Sequence, residues 1–167
     1  MKKQYLLLAT AIVLTVVSCG SNPGSKETNE NNAATEVKTG EEVHGTIKLT
    51  KADFLAKVMD YEKNTEEWVF EGEKPCLIDF YADWCAPCRT TSPILEELAI
   101  EYKGKIDIYK IDTDKERELA SVFGIQGIPS FLFVPMEGKP TMSSGIARTP
   151  EETKQMFRDQ IDQLLLP

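Results

Sequence analysis

The stretch CLIDFYADWCAPC, residues 76–88, joins an almost continuous apolar run to two cysteines three positions apart. An apolar run of this length is typical of a central strand that is buried on both faces. A helix follows the cysteines, because Ile94, Leu95 and Leu98 recur there at helical spacing. A buried strand followed directly by a helix favours an α/β fold.

The other segments continue this alternation. The predicted strands cover residues 46–49, 76–82, 105–112, 130–134 and 141–145. The predicted helices follow the N-cap Thr50, follow the cysteine pair up to Gly104, cover 115–124, and follow a capping box at Thr149, Pro150 and Glu152. The order βαβαβαββα predicts one central mixed sheet flanked by helices. Trp68 lies between predicted elements, and the sequence assigns it no position.

Composition limits the classes of protein to which this chain could belong. Its 167 residues are 41% hydrophobic and 28% charged, which predicts one globular domain plus some additional chain. The formal net charge of −8 argues against nucleic-acid binding, since phosphate binding needs a basic face. Four cysteines are too few for a disulfide scaffold in a chain of this length. They also do not form one set, because Cys19 is remote and Cys76 stands alone.

Residues 1–18 predict an export signal. Two lysines precede an apolar stretch at 6–17, which is shorter than the roughly 20 residues that span a bilayer. The sequence VVSC at 16–19 resembles a bacterial lipobox, and this resemblance implies cleavage before Cys19 and lipidation of that cysteine. An ordinary signal that happens to contain a cysteine and an uncleaved anchor are the alternatives.

Residues 19–45 predict a disordered tether behind the lipidated cysteine. The segment has almost no apolar residue and is rich in Asn, Gly, Ser, Thr and Glu, so it cannot bury enough surface to offset its ordering entropy. Its one histidine, His44, is expected to be solvated there. The folded domain is then predicted to cover residues 46–167.

Three kinds of chemistry are open to Cys85 and Cys88. A structural zinc site needs four ligands, and beyond the pair the chain offers only Cys76, His44 and carboxylates, with no second CxxC. An inert disulfide is possible in an exported chain, but it would close a loop so short that the entropic gain is smallest. No metal site is therefore predicted.

Disulfide exchange is the chemistry that this position favours. Residues three apart on a helix have Cβ atoms about 5 Å apart, close enough for a disulfide after a small adjustment. Cys85 would lie at the helix N-terminus, where backbone N–H groups and the helix dipole favour a thiolate. That thiolate is a nucleophile toward other disulfides, and Cys88 can resolve the mixed disulfide.

Three separated motifs carry a family resemblance. DFYADWCAPC at 79–88, PILEELA at 93–99 and GIQGIPSFLF at 124–133 closely resemble thioredoxin, and the resemblance runs from about Thr46 to the end. It implies the thioredoxin fold. More specifically, the chain is similar to the thioredoxin-like lipoproteins of the Bacteroides group.

The resemblance implies a role for each of four residues. Cys85 is the attacking nucleophile, Cys88 is the resolving cysteine, and Asp79 falls on the family's buried aspartate. A carboxylate inside an apolar strand also requires a partner or a task on physical grounds, and a raised pKa would let Asp79 take a proton from Cys88. A hydrogen-bonded structural aspartate is the alternative. Lys110 matches a lysine near that aspartate, with a solvated strand residue as its alternative.

The resemblance also implies a substrate-binding surface. Ile128 and Pro129 match the family's cis-proline loop, in which Pro129 has no N–H and the Ile128 backbone is free to pair with a substrate strand. Trp84, Ala86 and Pro87 are expected to contact the substrate beside the cysteines.

Five positions depart from the family pattern or lie outside it. Ala86 replaces the usual glycine, Arg89 the usual lysine and Tyr81 a common tryptophan, while Ser130 stands where threonine is commoner. Residues between the cysteines influence the reduction potential, so Ala86 bears on the direction of electron flow. Cys76 is predicted to be an inert thiol in the core.

The sequence thus predicts a thiol–disulfide oxidoreductase of the bacterial cell envelope, a periplasmic lipoprotein that reduces or isomerises disulfides in exported proteins. It is expected to be a monomer without a cofactor, to bind the membrane through its lipid, and to take electrons from a membrane or soluble thiol donor. Alternatives are a disulfide oxidant, a dedicated cytochrome c maturation reductase, and a thioredoxin-fold binding module without turnover.

Overall fold

The computed structural model describes residues 45–167. The predicted signal at 1–18, Cys19 and the predicted tether up to residue 44 lie outside the described residues. Residues 45–167 contain five strands and four helices in the predicted order βαβαβαββα. In this part of the chain, no helix combines the length and apolar character needed to cross a membrane.

One five-stranded mixed sheet forms the centre of the domain. Its spatial order is β1-β3-β2-β4-β5, with β1, β3 and β2 parallel and β4 and β5 antiparallel to their neighbours. The strands are β1 Ile47–Lys48, β2 Cys76–Tyr81, β3 Asp107–Asp112, β4 Ser130–Val134 and β5 Thr141–Ser144. The helices are α1 Lys51–Lys57, α2 Ala86–Glu101, α3 Arg117–Val122 and α4 Pro150–Leu164. The predicted central mixed sheet flanked by helices is confirmed.

Capping residues set the start of two helices as predicted. The Thr50 hydroxyl accepts a hydrogen bond from the Asp53 backbone N–H, and the Asp53 carboxylate accepts one from the Thr50 backbone N–H. Thr149 and Glu152 form the same reciprocal box at α4, whose first residue is Pro150. Such boxes satisfy backbone N–H groups that have no partner within the helix.

Strand β2 is the core of the domain, because all six of its residues are buried. Its side chains alternate between two hydrophobic clusters, one on each face of the sheet. On one face Ile78 and Phe80 pack with residues of α1 and α3, and on the other Leu77 packs with residues of α2 and α4. Burying each large apolar side chain contributes about 1.5–3 kcal/mol, which fixes α2 against the sheet. Asp79 follows the alternation of Leu77 and lies on the face that α2 covers.

The ends of two helices differ from the prediction. Helix α2 ends at Glu101 instead of continuing to Gly104, because Tyr102 closes the helix and a turn at Gly104, with φ 79°, reverses the chain. Helix α3 is Arg117–Val122 and is shorter than the predicted 115–124. Neither change moves the segments that carry the cysteines.

Candidate functional site

Cys85 and Cys88 form a disulfide at the start of α2, with their Cα atoms 5.2 Å apart. Strand β2 leads directly to this point, and Cys85 is the N-cap of the helix. The Cys85 Sγ atom accepts a hydrogen bond from the Cys88 backbone N–H, at 3.2 Å. Pro87 lies in the first turn, where its missing N–H costs no hydrogen bond.

The position of Cys85 favours its ionised form when the disulfide is reduced. The unpaired N–H groups and the dipole at a helix N-terminus stabilise negative charge. The first turn of α2, which is described in full, carries no acidic side chain to oppose this effect. The Arg89 Nη1 atom donates a hydrogen bond to the carbonyl oxygen of Asp83, two residues before Cys85, at 3.3 Å. The geometry therefore agrees with Cys85 as the attacking sulfur.

A loop with a cis peptide bond lies against the disulfide. The Ile128–Pro129 bond is cis, as the resemblance predicted, and the Ile128 side chain packs against Tyr81, Cys85 and Cys88. The Ser130 hydroxyl donates to the Gly127 carbonyl oxygen at 2.7 Å and so braces the loop. Among the backbone hydrogen bonds of the described loops and caps, none involves Ile128. Its backbone is thus open to pairing with another chain.

Two cavities flank this loop. One, of about 410 Å³, runs along residues 123–130 to Met142, Ser144 and Gly145. The other, of about 400 Å³, lies between Trp84 and residues 125–128. An extended peptide could therefore contact both sides of the loop while one of its sulfurs meets the cysteine pair.

Trp84 forms one wall of the second cavity and is 67% exposed. Its ring is held by a hydrogen bond from Nε1 to the Asp114 Oδ2 atom, at 2.9 Å. Sequence reasoning missed Asp114. A signal for it existed: Asp114 follows β3 as Cys85 follows β2, and parallel strands bring their carboxyl ends to one edge of the sheet.

Asp79 is fully buried on the face of the sheet that α2 covers. Neither of its carboxylate oxygens accepts a hydrogen bond from any described residue, so the alternative of a hydrogen-bonded structural aspartate is not supported. Burial raises the pKa of Asp79 from 3.8 to about 7, against the lowering effect of the Lys110 ammonium. A carboxyl group with a pKa near neutrality can both accept and return a proton.

Lys110 is 8% exposed, so the alternative of a solvated strand residue is wrong. It pairs in register with Asp79 across β2 and β3, and its Nζ lies 3.9 Å from the Asp79 Oδ2 atom. The ammonium donates a hydrogen bond to the Ser92 hydroxyl and lies 4.7 Å from the Tyr81 ring centroid. Sequence reasoning missed Ser92, which stands four residues after Cys88 and thus on the same helix face.

Cys76 takes no part in this site. It is a fully buried free thiol on β2, within the cluster on the opposite face of the sheet, as expected for an inert core residue. Burial raises the pKa of its thiol far above the usual value, which keeps it protonated. Within residues 45–167, no group of three or more His, Cys, Asp or Glu side chains could hold a metal ion.

The site combines a disulfide at a helix N-terminus, a cis-proline loop against that disulfide, and a buried carboxyl on the sheet face that α2 covers. This arrangement is a thiol–disulfide exchange site. Comparisons with known proteins agree. The thioredoxin family model matches residues 46–159. A thioredoxin of Borreliella burgdorferi is 52% identical over 99 residues, which cover 59% of this chain and 84% of that protein.

Two further relatives are also thioredoxins. A chloroplastic M-type thioredoxin of Spinacia oleracea is 33% identical over 125 residues, which cover 74% of this chain and 66% of that protein. Thioredoxin 1 of a Nostoc species is 35% identical over 85 residues, covering 51% of this chain and 78% of that protein. The chain belongs to the thioredoxin family. It is a thiol–disulfide oxidoreductase and protein-disulfide reductase whose redox pair is Cys85 and Cys88.

Proposed function

We propose that this protein works at the bacterial cell envelope, where it reduces or isomerises disulfides in exported proteins while a lipid on Cys19 holds it to the membrane. The observation that carries the proposal is the signal-like segment 1–18 ahead of Cys19, joined to an intact exchange site. The family match begins at residue 46, so residues 1–45 lie outside it. A polar tether at 19–45 would give the domain reach from a membrane, as in the thioredoxin-like lipoproteins it resembles.

The reaction proceeds in two exchanges. The Cys85 thiolate attacks one sulfur of a substrate disulfide, the S–S bond breaks, and the other substrate sulfur leaves as a thiolate. Cys88 then loses its proton to Asp79 and attacks the Cys85 sulfur, which releases the second substrate thiol. Two electrons have passed to the substrate, and Cys85 and Cys88 are joined again. A thiol donor in the membrane or in solution reduces the pair for the next cycle.

The loop at Ile128 and Pro129 binds the substrate in this scheme. Its unpaired backbone adds one strand-like contact, and Trp84, Ala86 and Pro87 contact the substrate on the other side of the reacting sulfur. The support for this role is the packing of Ile128 against the cluster that contains both cysteines, together with the two cavities beside the loop. Lys110 tunes the pKa of Asp79 through its charge.

The direction of electron flow is tested by the reduction potential of the pair. We expect a value nearer to the roughly −270 mV of thioredoxin than to the roughly −120 mV of a strong disulfide oxidant, because proton transfer from Cys88 to Asp79 in the proposed scheme helps Cys88 to resolve mixed disulfides. Equilibration with glutathione redox buffers measures it, and Ala86→Gly serves as the matched control for the residue between the cysteines. A value near the oxidant's would overturn the proposal of a reductase and favour the oxidant.

The lipid anchor is tested by Cys19→Ala. We expect this change to release the protein from the membrane fraction and to abolish labelling by a fatty-acid analogue, since the acceptor sulfur is lost. Cys76→Ala is the matched control, because that thiol is buried in the folded domain and labelling should persist. Labelling that survives in the Cys19 variant would show that no lipid is attached there.

A further inference from the structure

The segment between α1 and β2, residues 58–75, contains three aromatic residues that the reaction does not use. Tyr61, Trp68 and Phe70 are partly buried, and all three pack against the hydrophobic cluster formed with α1 and α3. Seven residues of helix and six of strand flank the segment, so it is anchored at both ends. The backbone N–H of Glu71 also donates to the Val58 carbonyl oxygen at 2.9 Å, which ties the segment to the end of α1.

Trp68 differs from the other two aromatic residues in what it contacts. Its ring meets the Phe123 ring edge-to-face, with the centroids 6.4 Å apart. Phe123 in turn contacts Phe54 at 5.2 Å and Phe80 at 5.8 Å. The Trp68 indole N–H is buried and donates to no described residue, so the ring is held by its apolar contacts and not by a hydrogen bond.

Phe123 is the point at which this aromatic cluster meets the substrate side of the molecule. It closes α3 and begins the run of residues 123–129 that ends at the cis-proline. Phe123 also lines the cavity of about 410 Å³ that follows this run to Met142 and Gly145. Ile125 and Ile128 pack, partly buried, against the same cluster as Phe123. The position of residues 123–129 therefore depends on the side chains that pack against Phe123.

We infer that Trp68 is a positioning residue for substrate binding: through Phe123 it holds residues 123–129 in the place where a protein substrate pairs with them. This inference rests on the proposal that Ile128 and Pro129 bind the substrate. Trp68 contributes nothing to the thiol chemistry, since it packs against the cluster on the α1 and α3 face of the sheet and not against the cluster of Tyr81, Cys85 and Cys88. Its loss lowers affinity for folded or peptide substrates and leaves small disulfides unaffected.

The test compares Trp68→Leu with the unchanged full-length protein on two substrates. For a protein disulfide such as insulin, we expect KM to rise roughly three- to tenfold with kcat unchanged, the range that follows from losing one aromatic contact. For the small disulfide of Ellman's reagent, we expect the rate to stay unchanged, as should the reduction potential. Trp68→Phe keeps a ring against Phe123 and removes an unpaired donor, so its KM should return toward the original value.

Two control variants separate this role from a general loss of stability. Phe70→Leu truncates an aromatic residue of the same segment and the same cluster, but the rings that meet Phe123 are those of Phe54, Trp68 and Phe80. An equal rise in KM for the Phe70 and Trp68 variants would overturn the inference. Ile128→Ala changes the loop itself. If it raises KM while Trp68→Leu does not, the inference fails and the proposed substrate loop stands; if neither raises KM, both are wrong.

Discussion

Cys88→Ala is expected to accumulate mixed disulfides with substrate proteins through Cys85, whereas Cys85→Ala is expected to trap none. The reason is the position of the two sulfurs at the start of α2. Cys85 is the N-cap, and its Sγ atom accepts the Cys88 backbone N–H, so the helix N-terminus stabilises the Cys85 thiolate. Without Cys88, that thiolate still attacks a substrate, but no second thiol releases the product.

Both variants should lose catalysed insulin reduction down to the rate of the added dithiol alone. Non-reducing gels of each variant, repeated after dithiothreitol, show the trapped species directly. Because Cys76 is a buried free thiol, adding Cys76→Ala to either variant should leave the pattern unchanged. Equal trapping by the two single variants would show that the order of attack is wrong.

The sequence was sufficient for the parts of the fold that local chemistry determines. The apolar run at 76–81 is a fully buried strand. Thr50 and Thr149 start their helices because each hydroxyl accepts a hydrogen bond from a backbone N–H three residues later. These features need no knowledge of distant contacts. The sequence pattern predicts the ends of α2 and α3 at Gly104 and Gly124, but the helices end at Glu101 and Val122. The reason is that each glycine marks the turn after the helix and not its last helical residue.

The site was predictable where a motif places residues close together in the chain. The disulfide of Cys85 and Cys88 and the cis bond before Pro129 were both anticipated. The motif does not determine which face Lys110 occupies, but strand alternation does: Lys110 lies on the same face as Ile106 and Ile108, which are buried under α2. The partner of Trp68 was beyond the reach of the sequence, because Phe123 lies 55 positions away and only tertiary packing joins the two rings.

Asp79 carries the second large expected effect. Asp79→Asn is expected to stabilise the oxidised domain above neutral pH and to slow insulin reduction at pH 7. The carboxyl is fully buried, and neither oxygen has a hydrogen-bond partner among residues 45–167. Its ionised form is therefore costly, and an amide of the same shape removes the charge without opening a cavity.

The sign of the pH dependence follows from the pKa of Asp79, which burial raises from 3.8 in an exposed carboxyl to about 7. The folded protein then binds more protons than the unfolded chain between these two values, so the free energy of unfolding falls as pH rises through that interval. A difference of about three in pKa corresponds to about 4 kcal/mol. Asp79→Asn should approach that gain above pH 7 and show almost none at pH 4.

The rate of insulin reduction by Asp79→Asn should fall, although its stability rises. In the proposed scheme the Asp79 carboxylate is the base that accepts the Cys88 proton, and general-base catalysis contributes about a hundredfold at the lower end of its usual range. Lys110→Gln is a second test of the same carboxyl. Removing the ammonium that lies 3.9 Å from the Asp79 carboxylate should raise the pKa of Asp79 further, so the fall in stability with pH should occur at higher pH. Thermal melts from pH 4 to 9, beside insulin-reduction rates, measure both effects. An Asp79→Asn variant that is less stable at every pH and fully active would show that Asp79 serves the fold and not the exchange.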